Sequence, residues 1–202
     1  MRRLALASIC LLIASGAIAS QNRAAAPQAD VDPLTALFGG GSPTPATGPD
    51  GRPQAVAIPR EVVPFNGGYA PGTVVINTSE RRLYYVLGNG QAIRYGVGVG
   101  RPGFEWSGTR YIAHKREWPD WTPPSQMLKR RPDLPRHMEG GVNNPLGARA
   151  MYLSGTLYRI HGSNEPESIG QAVSSGCIRM TNDDVTDLYD RVKIGTKVVV
   201  TR

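Results

Sequence analysis

Hydrophobic and polar positions divide the chain into three stretches. The first opens on Met1-Arg2-Arg3 and runs mostly apolar from Leu4 to Ala14, broken by Ser8. It closes on Ala17-Ile18-Ala19 before Ser20, a small-x-small pattern suited to signal peptidase, so residues 1–19 predict a signal peptide cleaved after Ala19. The apolar run is too short to read as a full membrane span, and no stable span is expected after cleavage. Residues 20–61 show no period. Ala, Pro and Gly dominate there, and Gly39-Gly40-Gly41-Ser42-Pro43 and Pro45-Ala46-Thr47-Gly48-Pro49 have too little apolar surface to bury, which predicts a flexible linker.

From Val62 to Arg202 the pattern changes to short β-branched and aromatic runs between turn residues. Thr73–Asn77, Arg82–Leu87, Gln91–Val99 and Arg110–Lys115 read as strands, with Gly88-Asn89-Gly90 as a hairpin turn. Gly96 and Gly98 inside the third suggest bulges or close packing. Two more strands are expected at Ala148–Ser154 and Leu157–His161, and a last one at Val198–Val200. Thr181 with Asp184 resembles a capping box, and Val185, Leu188, Tyr189 and Val192 follow at helical spacing. Lys193 is expected in the last turn of that helix and Gly195 at its stop. Residues 62–202 therefore predict one mainly β domain, a largely antiparallel β-sandwich or barrel-like body with a few short helices. Between Glu117 and Leu146 the rhythm breaks. Prolines exclude a central strand or helix interior, and so long an irregular stretch suggests a lid or binding loop. Trp118 and Trp121 either line a groove or pin this loop to the body, and the groove is the favoured expectation.

The formal net charge is +7, much of it between Arg81 and Arg136. That balance suits a polyanionic surface such as cell wall, and equally an ordinary solvated basic face. Nucleic acid is not an expected partner, since an exported protein seldom meets it and no aromatic-interleaved binding motif appears. The chain has two cysteines, Cys10 and Cys177, and signal cleavage removes the first. Cys177 then has no internal disulfide partner. An odd cysteine in an exported protein points to a free reactive thiol or intermolecular pairing, with a buried inert cysteine as the alternative.

Cys177 follows Ser174-Ser175-Gly176, small residues that let a substrate approach the backbone. His161 stands at the end of an expected strand. A thiol and an imidazole suffice for nucleophilic catalysis, because the thiolate attacks and the imidazole manages the proton. Backbone N–H groups near Gly176 and Cys177 are candidates for holding an oxyanion, with Ser175 beside them. Arg179 would order the loop or bind a substrate carboxylate through its planar fork. His114, His137, His161 and Cys177 lack metal-ligand spacing, and no CxxC pair is present for dithiol chemistry. A structural histidine with a chance cysteine stays open on spacing alone.

The stretch His161 to Arg179 resembles the signature of the L,D-transpeptidase catalytic domain (YkuD, also ErfK/YbiS/YcfS/YnhG). The family pattern is a histidine, an interval, Ser-x-Gly-Cys and then an Arg or Asn, here His161 and Ser174-Ser175-Gly176-Cys177-Ile178-Arg179. Asn144-Pro145-Leu146-Gly147, His161-Gly162-Ser163-Asn164-Glu165-Pro166 and Gly195-Thr196-Lys197-Val198 are similar too, so the likeness covers roughly Gly72 to Arg202. The resemblance implies a mostly β fold, no metal or organic cofactor, and covalent acyl transfer on peptidoglycan stem peptides in the periplasm or cell wall. By it Cys177 attacks the carbonyl at the L-centre of diaminopimelate and D-alanine leaves. A second stem or a lipoprotein lysine accepts the acyl group. His161 is the implied base, the backbone carbonyl of Gly162 its orienter, and Cys177 the atom acylated by carbapenems. Ser175 departs from members that carry a second histidine there; serine holds no positive charge near neutral pH, so that histidine's role is not carried over. A hydrolase on the same scaffold and a non-catalytic wall-binding module are the rival readings.

Overall fold

Side-chain alternation decides which residues meet in the core. The computed structural model describes residues 58–202; the expected signal peptide and linker residues up to 57 lie outside the described residues. In β2 (Val74–Asn77) and β3 (Arg82–Gly88), Val74, Ile76 and Leu83 are fully buried, and Ile76 stands opposite Leu83. β11 (Lys197–Thr201) lies parallel to β2 and sets Val198 and Val200 beside Val74 and Ile76. Branched side chains of this kind pack well on a pleated, half-buried surface. β4 (Gln91–Gly96) returns from β3 through Asn89 and Gly90, both at positive φ (51° and 71°), as a two-residue primed hairpin turn requires. β1 (Glu61–Pro64) adds to the outer side of β4, so Glu61 already belongs to the sheet.

β6 (Gly108–Glu117) joins two halves. Its first residues pair with β11, and from Ile112 on it pairs with β7 (Arg149–Leu153), with a register shift between Ile112 and His114. β8 (Arg159–His161) and β10 (Ile178–Arg179) complete the order β1-β4-β3-β2-β11-β6-β7-β8-β10. The terminal strands β1 and β10 are not neighbours, so the sheet is not a closed barrel. One cluster draws on both halves, from Val74, Leu83 and Tyr95 to Met151, Ile160 and Ile178. Antiparallel pairing prevails as expected, but β2 with β11, β8 with β10, and β5 (Val99–Gly100) with β9 (Ala172–Ser174) are parallel.

The strand expected over Gln91–Val99 breaks at Val97-Gly98. Gly98 exchanges both backbone hydrogen bonds with Arg179, each 2.9 Å, and a Cβ there would stand 2.6 Å from the Ser168 carbonyl. The chain therefore leaves one sheet at Gly98 and enters the β5–β9 ribbon. β9 and β10 had no sequence signal, being only three and two residues long.

The helix after the cysteine is α2 (Asn182–Arg191), capped by Thr181 Oγ1 accepting from the Asp184 N–H at 3.1 Å. Val185 and Leu188 are its buried side. It ends one turn earlier than the spacing predicts, at Arg191. Val192 turns extended, and the Lys193 N–H bonds Thr196 Oγ1 rather than continuing the helix. Lys115 of β6 supplies the C-terminal cation instead, its Nζ donating to the carbonyls of Tyr189 (2.6 Å) and Val192 (2.7 Å).

The irregular stretch 117–146 contains one short helix, α1 (Ser125–Arg130), which starts directly after Pro124. Trp121 and Met138 exchange backbone bonds of 2.8 Å and close its base. Asn144 fastens it. Buried to 1 % exposure, its Nδ2 faces the carbonyls of Pro119, Met138 and Glu139, and its Oδ1 accepts from the Leu146 N–H at 2.9 Å. Asn144→Ala leaves several buried backbone groups without partners. It should lower stability by about 3 kcal/mol, read as a shift in the urea midpoint; a loss within 0.5 kcal/mol would show the segment is held otherwise.

Candidate active site

The site is assembled by one parallel pairing. Ile160 of β8 stands opposite Ile178 of β10, and His161 opposite Arg179. Both isoleucines are buried in the core. Alternation then turns Arg159 and His161 to the other face of β8, and Arg179 to the same face of β10. Cys177 immediately precedes Ile178, so this register also brings its loop to the end of β8.

His161 is 4 % exposed, and its Nδ1 lies 2.6 Å from the Gly162 carbonyl oxygen. A carbonyl only accepts, so Nδ1 carries the proton and Nε2 keeps its lone pair. Burial holds the imidazole neutral. Desolvation lowers its pKa to about 3, the charges of Arg179 and Arg159 push the same way, and the Gly162 bond opposes them. A Cβ on either Gly147 or Gly162 would overlap Asn182 Oδ1, which accepts from the Ala148 N–H at 2.9 Å. Gly147 (φ 64°), Gly162 and the first residue of α2 thus meet without side-chain bulk, and they fix the strand end that carries His161.

Cys177 is a partly exposed free thiol. Its loop is clamped from inside by buried Ser174, whose Oγ donates to the Cys177 carbonyl (2.6 Å) and accepts from the Gly176 N–H (3.1 Å). The Gly176 N–H, expected to be open to an oxyanion, is thus engaged by Ser174. Gly176 has φ 105°, and a Cβ there would overlap the Tyr158 ring. Trp106 stacks on Tyr158 with centroids 4.9 Å apart and donates from Nε1 to the Gly176 carbonyl at 2.8 Å. Only glycine fits between that aromatic pair and the turn.

Arg179 Nη1 lies 2.7 Å from Glu165 Oε2, a bond that ties β10 to the crossover loop. Ser175 Oγ accepts from Arg101 Nη1 at 3.2 Å, and the Arg101 N–H bonds the Ser174 carbonyl at 3.0 Å. His114 packs edge-on to Tyr152, and His137 faces Thr122 Oγ1. Among the described residues no three His, Cys, Asp or Glu side chains gather as metal ligands.

Sequence reasoning missed Trp106, Tyr158, Arg101 and Asn182. The proline-rich setting of Trp118 and Trp121 drew attention away, yet Trp121 sits in the bridge to Met138 and Trp106 is the tryptophan against the cysteine loop. The one available signal for Trp106 was its place beyond the Pro102-Gly103 turn that follows the split strand.

The His161 environment makes stability depend on pH. An unfolded imidazole takes a proton below about 6.5, whereas the folded one resists until about 3. The unfolded state binds the extra proton in that window, so stability falls as pH falls, by ~1.4 kcal/mol per unit. Urea unfolding at pH 7 and pH 5 should show this loss in the wild type and a smaller one in His161→Gln. Equal losses would mean the folded imidazole protonates normally.

Comparison with known proteins agrees with this geometry. The family described as the L,D-transpeptidase catalytic domain, YkuD, matches residues 71–200. A probable L,D-transpeptidase ErfK/SrfK of Escherichia coli is 39 % identical over 136 residues, 63 % of this chain and 43 % of that protein. The probable L,D-transpeptidase YbiS of the same species is 37 % identical over 134 residues, 62 % of this chain and 43 % of that one. The chain thus aligns with less than half the length of these curated relatives. Among solved structures, an L,D-transpeptidase from Mycobacterium smegmatis shares the fold, with a TM-score of 0.53 at 18 % identity over 70 % of this chain and 67 % of that one. With the motif, the fold and the matched span in agreement, this chain belongs to the L,D-transpeptidase catalytic domain family.

Proposed function

We propose that this chain is an exported acyltransferase that uses Cys177 to transfer peptidoglycan stem peptides, an L,D-transpeptidase in activity as well as family. What supports this reading is the parallel register that sets His161 opposite Arg179, two residues after Cys177, with His161 in the tautomer whose Nε2 accepts a proton. Nε2 takes the Sγ proton, and sulfur bonds to the carbonyl carbon at the L-centre of diaminopimelate. Collapse of the tetrahedral adduct breaks the C–N bond, D-alanine leaves with the proton from the imidazolium, and a thioester remains. An acceptor amine then attacks, giving its proton to Nε2, and the C–S bond breaks to restore the thiol. A second stem yields a cross-link; a lipoprotein lysine yields an anchored protein.

Burial lowers the proton affinity of His161 and leaves Nε2 free to accept the Sγ proton when the acyl donor is bound. The Gly162 carbonyl orients the ring, and Arg179, neutralised by Glu165, holds the loop. With the Gly176 N–H engaged by Ser174, the Cys177 N–H is the backbone donor assigned to the oxyanion. The leader-like residues 1–19 support export, and the basic surface suits a polyanionic wall.

Mass spectrometry of the protein with a purified diaminopimelate-containing tetrapeptide muropeptide tests the proposal. The wild type should show a thioester on Cys177 and dimeric products, both lost in Cys177→Ala. His161→Gln should form the adduct 100-fold or more slower, on the order of a removed general base. Adduct with only trimmed monomer would mean a hydrolase. Neither adduct nor product, with retained binding to sacculi, would leave a wall-binding module.

A further inference from the structure

Three arginines surround the cysteine loop, and their electrostatic situations differ. Arg179 is paired with Glu165 at 2.7 Å. Arg159 lies over the Tyr152 ring at 5.1 Å and donates to the Leu157 carbonyl. Arg101 has only a neutral side-chain partner, Ser175 Oγ, two residues before the thiol. No carboxylate among the described residues lies within ion-pair distance of it.

A second unpaired cation stands close by. The Phe104 ring has the Arg101 guanidinium 4.2 Å from its centroid and that of Arg130, at the end of α1, 5.4 Å away. Arg130 also lacks a carboxylate within ion-pair distance among the described residues; its neighbour Arg131 is the one that pairs, with Asp133. Two like charges held on one ring without a counter-ion repel each other, and an anion between or beside them relieves that repulsion. Cation–π contact holds both guanidinium groups at the ring, and the parallel β5–β9 pairing fixes Arg101 against the cysteine loop, its N–H on the Ser174 carbonyl at 3.0 Å. A planar guanidinium held this way is built for a carboxylate.

We propose that Arg101, backed by Arg130 at the same Phe104 ring, forms a carboxylate subsite beside Cys177 that seats an anionic group of the acyl donor. This rests on the transpeptidase reading for the identity of the donor, whose stem offers two carboxylates near the scissile bond: that of the departing residue and that at the D-centre of diaminopimelate. The subsite replaces the assignment of this role to Arg179, whose charge Glu165 already meets. Arg130 gives the subsite a part that comes from the 117–146 segment, so that segment contributes charge to the site and Trp118 and Trp121 need not line it.

Alkylation of Cys177 provides the test. Iodoacetate and iodoacetamide form the same C–S bond with loss of iodide and differ in bearing a carboxylate or a neutral amide. The ratio of their rates in the full chain at pH 7 should fall about tenfold in Arg101→Gln, the size expected for one charged hydrogen bond. Arg101→Lys, which keeps the charge, should recover most of it. A ratio unchanged in Arg101→Gln would overturn the subsite. This readout needs no transferase activity, so failure of the subsite and failure of the transpeptidase reading are told apart. With active enzyme, donor stems amidated at one carboxylate or the other identify which is seated: its amidation raises KM in the wild type and leaves Arg101→Gln indifferent. Equal sensitivity of both proteins to each amidation would again overturn the proposal.

Discussion

Everything at the site depends on Ile160 lying opposite Ile178 in the core. A one-residue slip of β10 against β8 would bring Arg179 to the apolar interior and turn Ile178 outward. Burial of two isoleucines prevents that slip. The Met180 N–H extends this pairing by bonding the His161 carbonyl at 2.8 Å, and on the far side Arg179 exchanges both backbone bonds with Gly98. A strand of only two residues is thus held on both edges.

Glycine makes the remaining approach distances possible, and each instance has a different neighbour. Gly98 admits the Ser168 carbonyl, Gly176 admits the Tyr158 ring, and Gly147 and Gly162 share Asn182 Oδ1. The last contact joins the end of the 117–146 segment, the His161 strand and the helix after the cysteine at one amide oxygen. It brings Asn144-Pro145-Leu146-Gly147 and His161-Gly162 together although they are far apart along the chain. Electrostatics at the site follow from the same crowding. His161 is dry and neutral, and one of the nearby arginines is matched by a carboxylate while another meets only a serine hydroxyl.

Alternation and turn chemistry made most long elements legible: β2, β3, the Gly88–Gly90 turn and the Thr181 cap all stand where local pattern put them. What local pattern does not encode was lost. β9 and β10 are too short for a period, and the break in the expected third strand depends on Ser168, seventy positions away, taking the space beside Gly98. At the early end of α2 the last carbonyls are met by Lys115, a residue of another strand. Cys177, His161, Gly162 and Arg179 were visible as residue types in a motif, whereas Arg101 and Trp106 reach the loop only through the β5–β9 pairing and a ring stack. A sequence window encodes neither that pairing nor that stack.

The position of β11 sets the order in which the fold can close. It is the last strand of the sheet in sequence and yet lies between β2 and β6, joining the two halves. Until Lys197–Thr201 docks, β2 and β6 each keep an open edge and the shared core cannot close. The long sequence separation between β2 and β11 makes that closure slow. The loop that carries Cys177 and the strand that carries His161 draw their support from a core whose two halves are joined through this strand.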